Sequence, residues 1–247
     1  MKTSSLGDVI HNFPAVTDAA RAIPGAAIDW VVEEGFAQAA RLHPSVRRII
    51  PLPLRRWRRG LWRAAAWSDM AAFLRALRAE RYDTVIDTQS LIKSALIASM
   101  ACGEAHGMDR ASARESLAAR FYDVVHEVPR GLHAVERNRL LAARALGFEA
   151  TGAARYGLEG RSSAQAGHFA VFLTMTSRAD KLWPEERWVE LGRSLAAPVV
   201  LPWGSEAERG RAERIAAALP EASVPRRMSL DQLAGLFARS HAVVGLD

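Results

Sequence analysis

The stretch Thr84-Val-Ile-Asp-Thr-Gln-Ser-Leu-Ile-Lys-Ser-Ala-Leu-Ile-Ala-Ser-Met-Ala-Cys102 decides the architecture. Thr84–Asp87 is a short β-rich run, and Leu91–Cys102 is an apolar helical pattern that follows after three polar residues. A strand handed at once to a helix is the repeating unit of a parallel sheet, because parallel strands can be joined only by a crossover. The same unit recurs in both directions along the chain. Strands are expected at Ala27–Val32, Arg47–Pro51, His106–Met108 and Val124–Val128, then at His168–Leu173, Pro198–Pro202, Ala222–Val224 and Ala242–Leu246. Helices are expected at Trp67–Arg81, His133–Leu146, Glu185–Leu195, Glu206–Leu219 and Ser229–Arg239. The fold class is therefore α/β. Gly147–Gly167 lacks periodicity and is rich in Gly, Ala and Ser, which places a boundary between two α/β series, residues 1–150 and 151–247.

With 247 residues, 49% of them apolar and 24% charged, the chain can bury a sizeable core. It contains no apolar run of membrane-spanning length and no secretory signal pattern, so the cytosol is the expected compartment. One cysteine, Cys102, excludes an internal disulfide and a cysteine-rich metal site. No His/Asp/Glu cluster has metal-ligand spacing, and no metal or other cofactor is expected. A net charge of +6 calls for acidic partners: nucleic acid, an anionic membrane face or phosphorylated small molecules.

Both ends are unusual. Met1–Asp8 reads as a strand-to-helix loop with almost nothing ahead of it, and Val243–Asp247 as a strand that stops at a carboxylate; the expectation is a chain truncated at both ends. In the first loop Ser4, Ser5 and Gly7 open a helix expected to run through Val9, Ile10 and Phe13, where free N–H groups favour an anion or polar substrate. Asp8 could take a proton from a sugar hydroxyl as a general base, or merely complement the helix start. His11 is either a second polar contact or an ordinary surface histidine.

Arg55, Arg56, Arg58, Arg59 and Arg63 crowd together with Trp57 and Trp62 between them. Guanidinium forks suit phosphate and carboxylate oxygens. Such a cluster could also clamp nucleic acid, or form a solvated basic face. Trp183 and Trp188, around Pro184 at a helix start, are expected to pack the interior.

Lys2–His11 resembles the N-terminal signature of the lipopolysaccharide heptosyltransferases. The likeness continues through Asp29–Phe36, Ile50–Arg59, Val85–Ser94, Gly107–Asp109, Ala113–Glu115 and His133–Arg137, then Thr176–Glu186, Leu201–Gly204 and Arg227–Leu230, in family order and of type I rather than type II. The resemblance implies a GT-B architecture, two Rossmann-like domains facing a cleft, with acceptor on the N-terminal side and sugar nucleotide on the C-terminal side. It implies inverting transfer of L-glycero-D-manno-heptose from ADP-heptose to the Kdo of Kdo2-lipid A. By the same resemblance Asp8 is the base, and Lys181 lies against the donor phosphates across the groove. Thr176 and Ser177 contact the diphosphate, Glu208 the ribose and Met228 the adenine. Asp247 opens a donor-binding segment.

The acceptor side would be Ser5, Gly7, His11, Arg55, Arg56, Arg58, Arg59, Arg114 and His133, with Lys93 either extending it or capping its helix. The basic patch would touch anionic membrane, placing the enzyme on the cytoplasmic face of the inner membrane. Gln89-Ser90 stands where the family has Gln-Gly. A heptosyltransferase acting on another core sugar is the nearest rival reading. A non-catalytic, nucleic-acid-binding α/β module is a more distant one, and no nucleic acid is expected as a partner.

Overall fold

A computed structural model describes residues 1–54, 56–57, 64–158, 167–176 and 178–246. The chain divides into two compact units, Met1–Leu158 and Glu159–Asp247.

In the first unit, β1 (Ile28–Glu33) pairs in parallel with β2 (Val46–Leu52), and β3 (Thr84–Ile86), β4 (Glu104–Met108) and β5 (Val124–His126) form a parallel sheet in that order. Residues 1–3 join the two sheets. The Met1 carbonyl accepts from Thr88 N–H at 3.0 Å, and the Thr3 carbonyl accepts from Glu33 N–H at 3.0 Å. The N-terminal segment thus runs between β1 and β3 and is held on both sides.

The expected first helix is two. α1 (Leu6–Ile10) ends at His11, and α2 (Phe13–Ala22) starts afresh with Pro14 in its first turn. Proline lacks the N–H that a continuous helix would need there, and its fixed φ suits a helix start. α3 (Ala37–Arg41), α4 (Ala64–Leu77), α5 (Ile92–Ser99) and α6 (Ala134–Leu146) follow along this unit. α6 closes at Gly147, whose φ of 73° is the left-handed conformation glycine adopts without penalty. Arg139, 2% exposed, binds Asp18 at 2.7 Å and thereby ties α6 to α2.

Core packing follows the strand faces. Val31, Ile50 and Leu52 meet Trp57, Phe73 and Leu77 on one side, while Val85, Ala95, Ala98 and Tyr122 pack between β3, β4 and α5. A cavity of about 590 Å³ opens beside β1 and β3, lined among others by Val16, Ala19, Ile28, Tyr82 and Leu146. Asp8, His11, Arg114 and His133 do not line it.

The second unit is one parallel sheet, β8 (Ala222–Ser223), β7 (Val199–Val200), β6 (Ala170–Leu173) and β9 (Ala242–Gly245) in that order. α7 (Glu185–Ser194), α8 (Glu206–Ala217) and α9 (Leu230–Arg239) connect the strands. Trp188 on α7 is fully buried against Phe172 of β6, ring centroids 5.0 Å apart, with Trp183 at 5.4 Å. Among the described residues no helix is long and apolar enough to cross a membrane.

Candidate functional site

Strand β3 delivers the first group of site residues, because the N-terminal segment and the β3–α5 turn are laced together. The Lys2 ammonium, 6% exposed, donates to the Thr88 carbonyl at 3.0 Å. Burial pulls this lysine below its ordinary pKa, while the nearby Asp8 and Asp87 carboxylates pull it back up and the guanidinium groups of Arg114 and Arg137 add to the lowering. Beyond Thr3 the chain turns into α1, and the Asp8 carboxylate accepts from Ser5 N–H at 3.0 Å. The capping role that the sequence allowed Asp8 is therefore present. It engages Oδ2, and α1 is only five residues long, so the dipole at its start is small.

His11 ends α1 and meets His133, which begins α6, edge to face with ring centroids 5.4 Å apart. Asn138 of α6 donates to the His11 carbonyl at 3.2 Å. The fold thus brings His11 against His133 from more than 120 residues away in the chain, and Lys2 lies in electrostatic reach of both Asp8 and Arg114. Ser5, Gly7 and Arg114 are exposed on the same unit.

Arg56 is exposed and turns to carboxylates of its own chain, Glu34 at 3.0 Å and Asp69 at 3.4 Å. Arg55, Arg58 and Arg59 lie outside the described residues, as do Ser177 and Asp247. Lys93, offered as an extension of the acceptor surface or as a helix cap, pairs with Glu33 at 3.7 Å.

In the second unit the described donor candidates share one edge of one sheet. Thr176 and Lys181 follow β6, Glu208 follows β7 and Met228 follows β8. Loops beyond the carboxyl ends of parallel strands are where such sheets bind ligands. Lys181 ends a short 3-10 turn, Ala179–Lys181, and is exposed. The Glu208 carboxylate accepts from Gly204 N–H at 2.7 Å, which fixes the mouth of α8. Trp203 was not singled out from sequence as a site residue. Its indole N–H donates to the Pro225 carbonyl at 2.7 Å, and Arg209 covers its ring at 5.5 Å, so it braces the β7 loop against the loop that leads to Met228. Its only sequence signal was its place in Leu201-Pro-Trp-Gly204.

Sequence reasoning also missed the buried hub at Asp87. This fully buried carboxylate accepts from Gln89 N–H at 2.8 Å, Ser94 Oγ at 2.7 Å and the Tyr122 hydroxyl at 2.7 Å. Burial first, then the Asp87 charge, holds the Tyr122 phenol well above its ordinary pKa, so it stays a donor. Gly107 makes room for it, since a Cβ there would come within 2.1 Å of the Tyr122 ring. Spacing alone could have hinted at the hub, with Ser94 one strand-to-helix turn beyond Asp87, but Tyr122 is visible only in three dimensions.

Ser90 adopts φ 55°, the left-handed region. A Cβ is strained in that conformation. Ser90→Gly is expected to relieve roughly 1–2 kcal/mol of backbone strain against about 0.5–1 kcal/mol of added chain entropy in the unfolded state. A net gain of about 0.5–1 kcal/mol in urea unfolding is the expected result; a loss would mean that the serine side chain contributes more than its strain costs.

Among the described residues no group of three or more His, Cys, Asp or Glu side chains has a geometry that could hold a metal ion.

Two α/β units, each built on parallel strands, fit a group-transfer enzyme of the GT-B class. The chain belongs to glycosyltransferase family 9 (heptosyltransferase), whose family model matches residues 70–247. It is 46% identical to lipopolysaccharide heptosyltransferase 1 of Escherichia coli K12, an alignment covering 100% of this chain and 80% of that protein. With lipopolysaccharide heptosyltransferase 1 of Pseudomonas aeruginosa the identity is 48%, covering 100% of this chain and 72% of the relative. Its structure is similar to that of E. coli heptosyltransferase WaaC with ADP-2-deoxy-2-fluoro heptose, with a TM-score of 0.96, 44% identity, and coverage of 100% of this chain and 81% of the other.

Proposed function

We propose that this protein is a lipopolysaccharide heptosyltransferase of type I, moving L-glycero-D-manno-heptose from ADP-heptose to the Kdo of Kdo2-lipid A with inversion. The reading is carried by one observation: likeness over the whole chain, at a TM-score of 0.96, to a heptosyltransferase described with an ADP-heptose analogue. The unit Met1–Leu158, eight residues longer than the division at 150 expected from sequence, would form the acceptor side and Glu159–Asp247 the donor side.

In this reading Asp8 takes the proton of the attacking Kdo hydroxyl as that oxygen bonds to the anomeric carbon, and the bond to the ADP oxygen breaks on the opposite face. One direct displacement suffices for inversion. The Lys181 ammonium stabilises negative charge growing on the departing diphosphate. Thr176 and Ser177 hold the diphosphate, Glu208 the ribose, Met228 the adenine, and Asp247 contributes to the donor site. On the acceptor side Ser5, Gly7, His11, Arg114 and His133 surround the sugar. Arg55, Arg56, Arg58 and Arg59 face the acceptor's phosphates and anionic lipid on the cytoplasmic side of the inner membrane. The exposure of Arg56 supports that surface role; its two ion pairs within the chain mean that an acceptor phosphate must compete with Glu34 and Asp69.

The test is a purified assay with ADP-heptose against a panel of core acceptors. Heptose transfer to Kdo2-lipid A, with already heptosylated cores left unmodified, is the expected outcome. Donor consumption only with a different core sugar would move the protein to another step. Salt-dependent binding of DNA or RNA without donor turnover would overturn the enzyme reading.

A further inference from the structure

The Asp8 loop is positioned largely by a neighbouring turn. Thr3 is fully buried, and both of its backbone groups are engaged: its carbonyl accepts from Glu33 N–H at 3.0 Å, and its N–H donates to Gln89 Oε1 at 3.1 Å. Two residues further on, Ser5 N–H meets the Asp8 carboxylate at 3.0 Å. The Gln89 oxygen therefore sits at one end of a short relay that ends on Asp8. We infer that Gln89 is a positioning residue for the Asp8 carboxylate, acting through Thr3. The inference rests on the reading of Asp8 as the general base.

Three features make Gln89 a rigid support. Its side chain is 4% exposed, so it has little rotamer freedom. Its backbone N–H is pinned to Asp87 at 2.8 Å, and Asp87 is itself anchored by Ser94 and Tyr122 from two other elements. The left-handed turn at Ser90 then directs the chain away into α5, leaving Gln89 at the apex. In parallel, the Lys2 ammonium and Met1 carbonyl both bond to Thr88, so this one turn sets the height of the whole Met1–Thr3 segment. Loss of the Gln89 oxygen would leave the Thr3 N–H buried without its partner, and the segment would shift to satisfy it. A base displaced by about 1 Å loses roughly a hundredfold in rate.

Steady-state kinetics of Gln89→Met, which keeps the length and removes the acceptor oxygen, test the inference. The expected result is a fall in kcat of about 30- to 100-fold with the donor KM within about twofold. Gln89→Asn, which keeps an oxygen set back by one methylene, is expected to fall between the two and serves if Gln89→Met does not fold. A merely structural role would lower the melting temperature and the amount of active enzyme without this dependence on Asp8. The decisive arm is therefore Gln89→Met combined with Asp8→Asn: with the base gone, its position no longer matters, and the second substitution should add less than about threefold. Undiminished kcat in folded Gln89→Met, or its full factor persisting beside Asp8→Asn, overturns the inference. Parent-like kcat in Asp8→Asn alone sinks the base reading, and this inference with it.

Discussion

Asp8→Asn is expected to lower kcat by about 10²- to 10⁴-fold, the range a general base supplies, with donor affinity nearly unchanged. The choice of asparagine matters because the proposed base role would come on top of the capping contact that Asp8 makes. Its Oδ2 accepts from Ser5 N–H at 3.0 Å at the start of α1, and an asparagine oxygen can do the same. What asparagine cannot do is accept a proton from the acceptor hydroxyl. The substitution thus separates the cap from the base. Loss of such a cap altogether costs about 1 kcal/mol, a change visible in unfolding but far too small to explain a thousandfold loss in rate. Rate and melting temperature should be measured on the same preparation with saturating acceptor. Full kcat in Asp8→Asn would leave Asp8 as a helix cap and nothing more.

Trp188→Ala is expected to destabilise the second unit by about 3–5 kcal/mol, the usual cost of emptying a large aromatic site. Trp188 is 0% exposed, packs on Phe172 at 5.0 Å and on Trp183 at 5.4 Å, and lies in one cluster with Val199, Leu201, Ile215 and Leu219. That cluster joins β6 and β7 to α7 and α8, the elements whose ends carry Thr176, Lys181 and Glu208. A unit of this size has few other large side chains to collapse into the space. Urea unfolding followed by far-UV circular dichroism should show an early transition for this unit, and donor binding should disappear with it. A shift equivalent to less than about 1 kcal/mol would mean the pocket refills, and that Trp183 or Phe172 can take over the position.

The order of elements was legible because hydrophobic periodicity is a local property. Thr84–Asp87 followed by Leu91–Cys102 announces a strand and a helix with no knowledge of their neighbours, and β3 and α5 lie within those bounds. The break between α1 and α2 was also local, with Pro14 as its signal, yet the apolar run through Phe13 concealed it. Asp8, Lys181 and Glu208 could be put forward as candidates from sequence because they lie in short contiguous motifs. Gln89 was noticed only for the serine that follows it.

By itself the sequence determined the α/β class and the alternation of strands with helices seen among the described residues, since each depends on side-chain pattern within a few residues. Only the tertiary structure decided that His11 faces His133, that Arg139 ties α6 to Asp18, and that Tyr122 donates to Asp87. His11–His133, Arg139–Asp18 and Tyr122–Asp87 join residues far apart in the chain, and a contact between such groups is selected by which surfaces pack together, a choice no local pattern encodes.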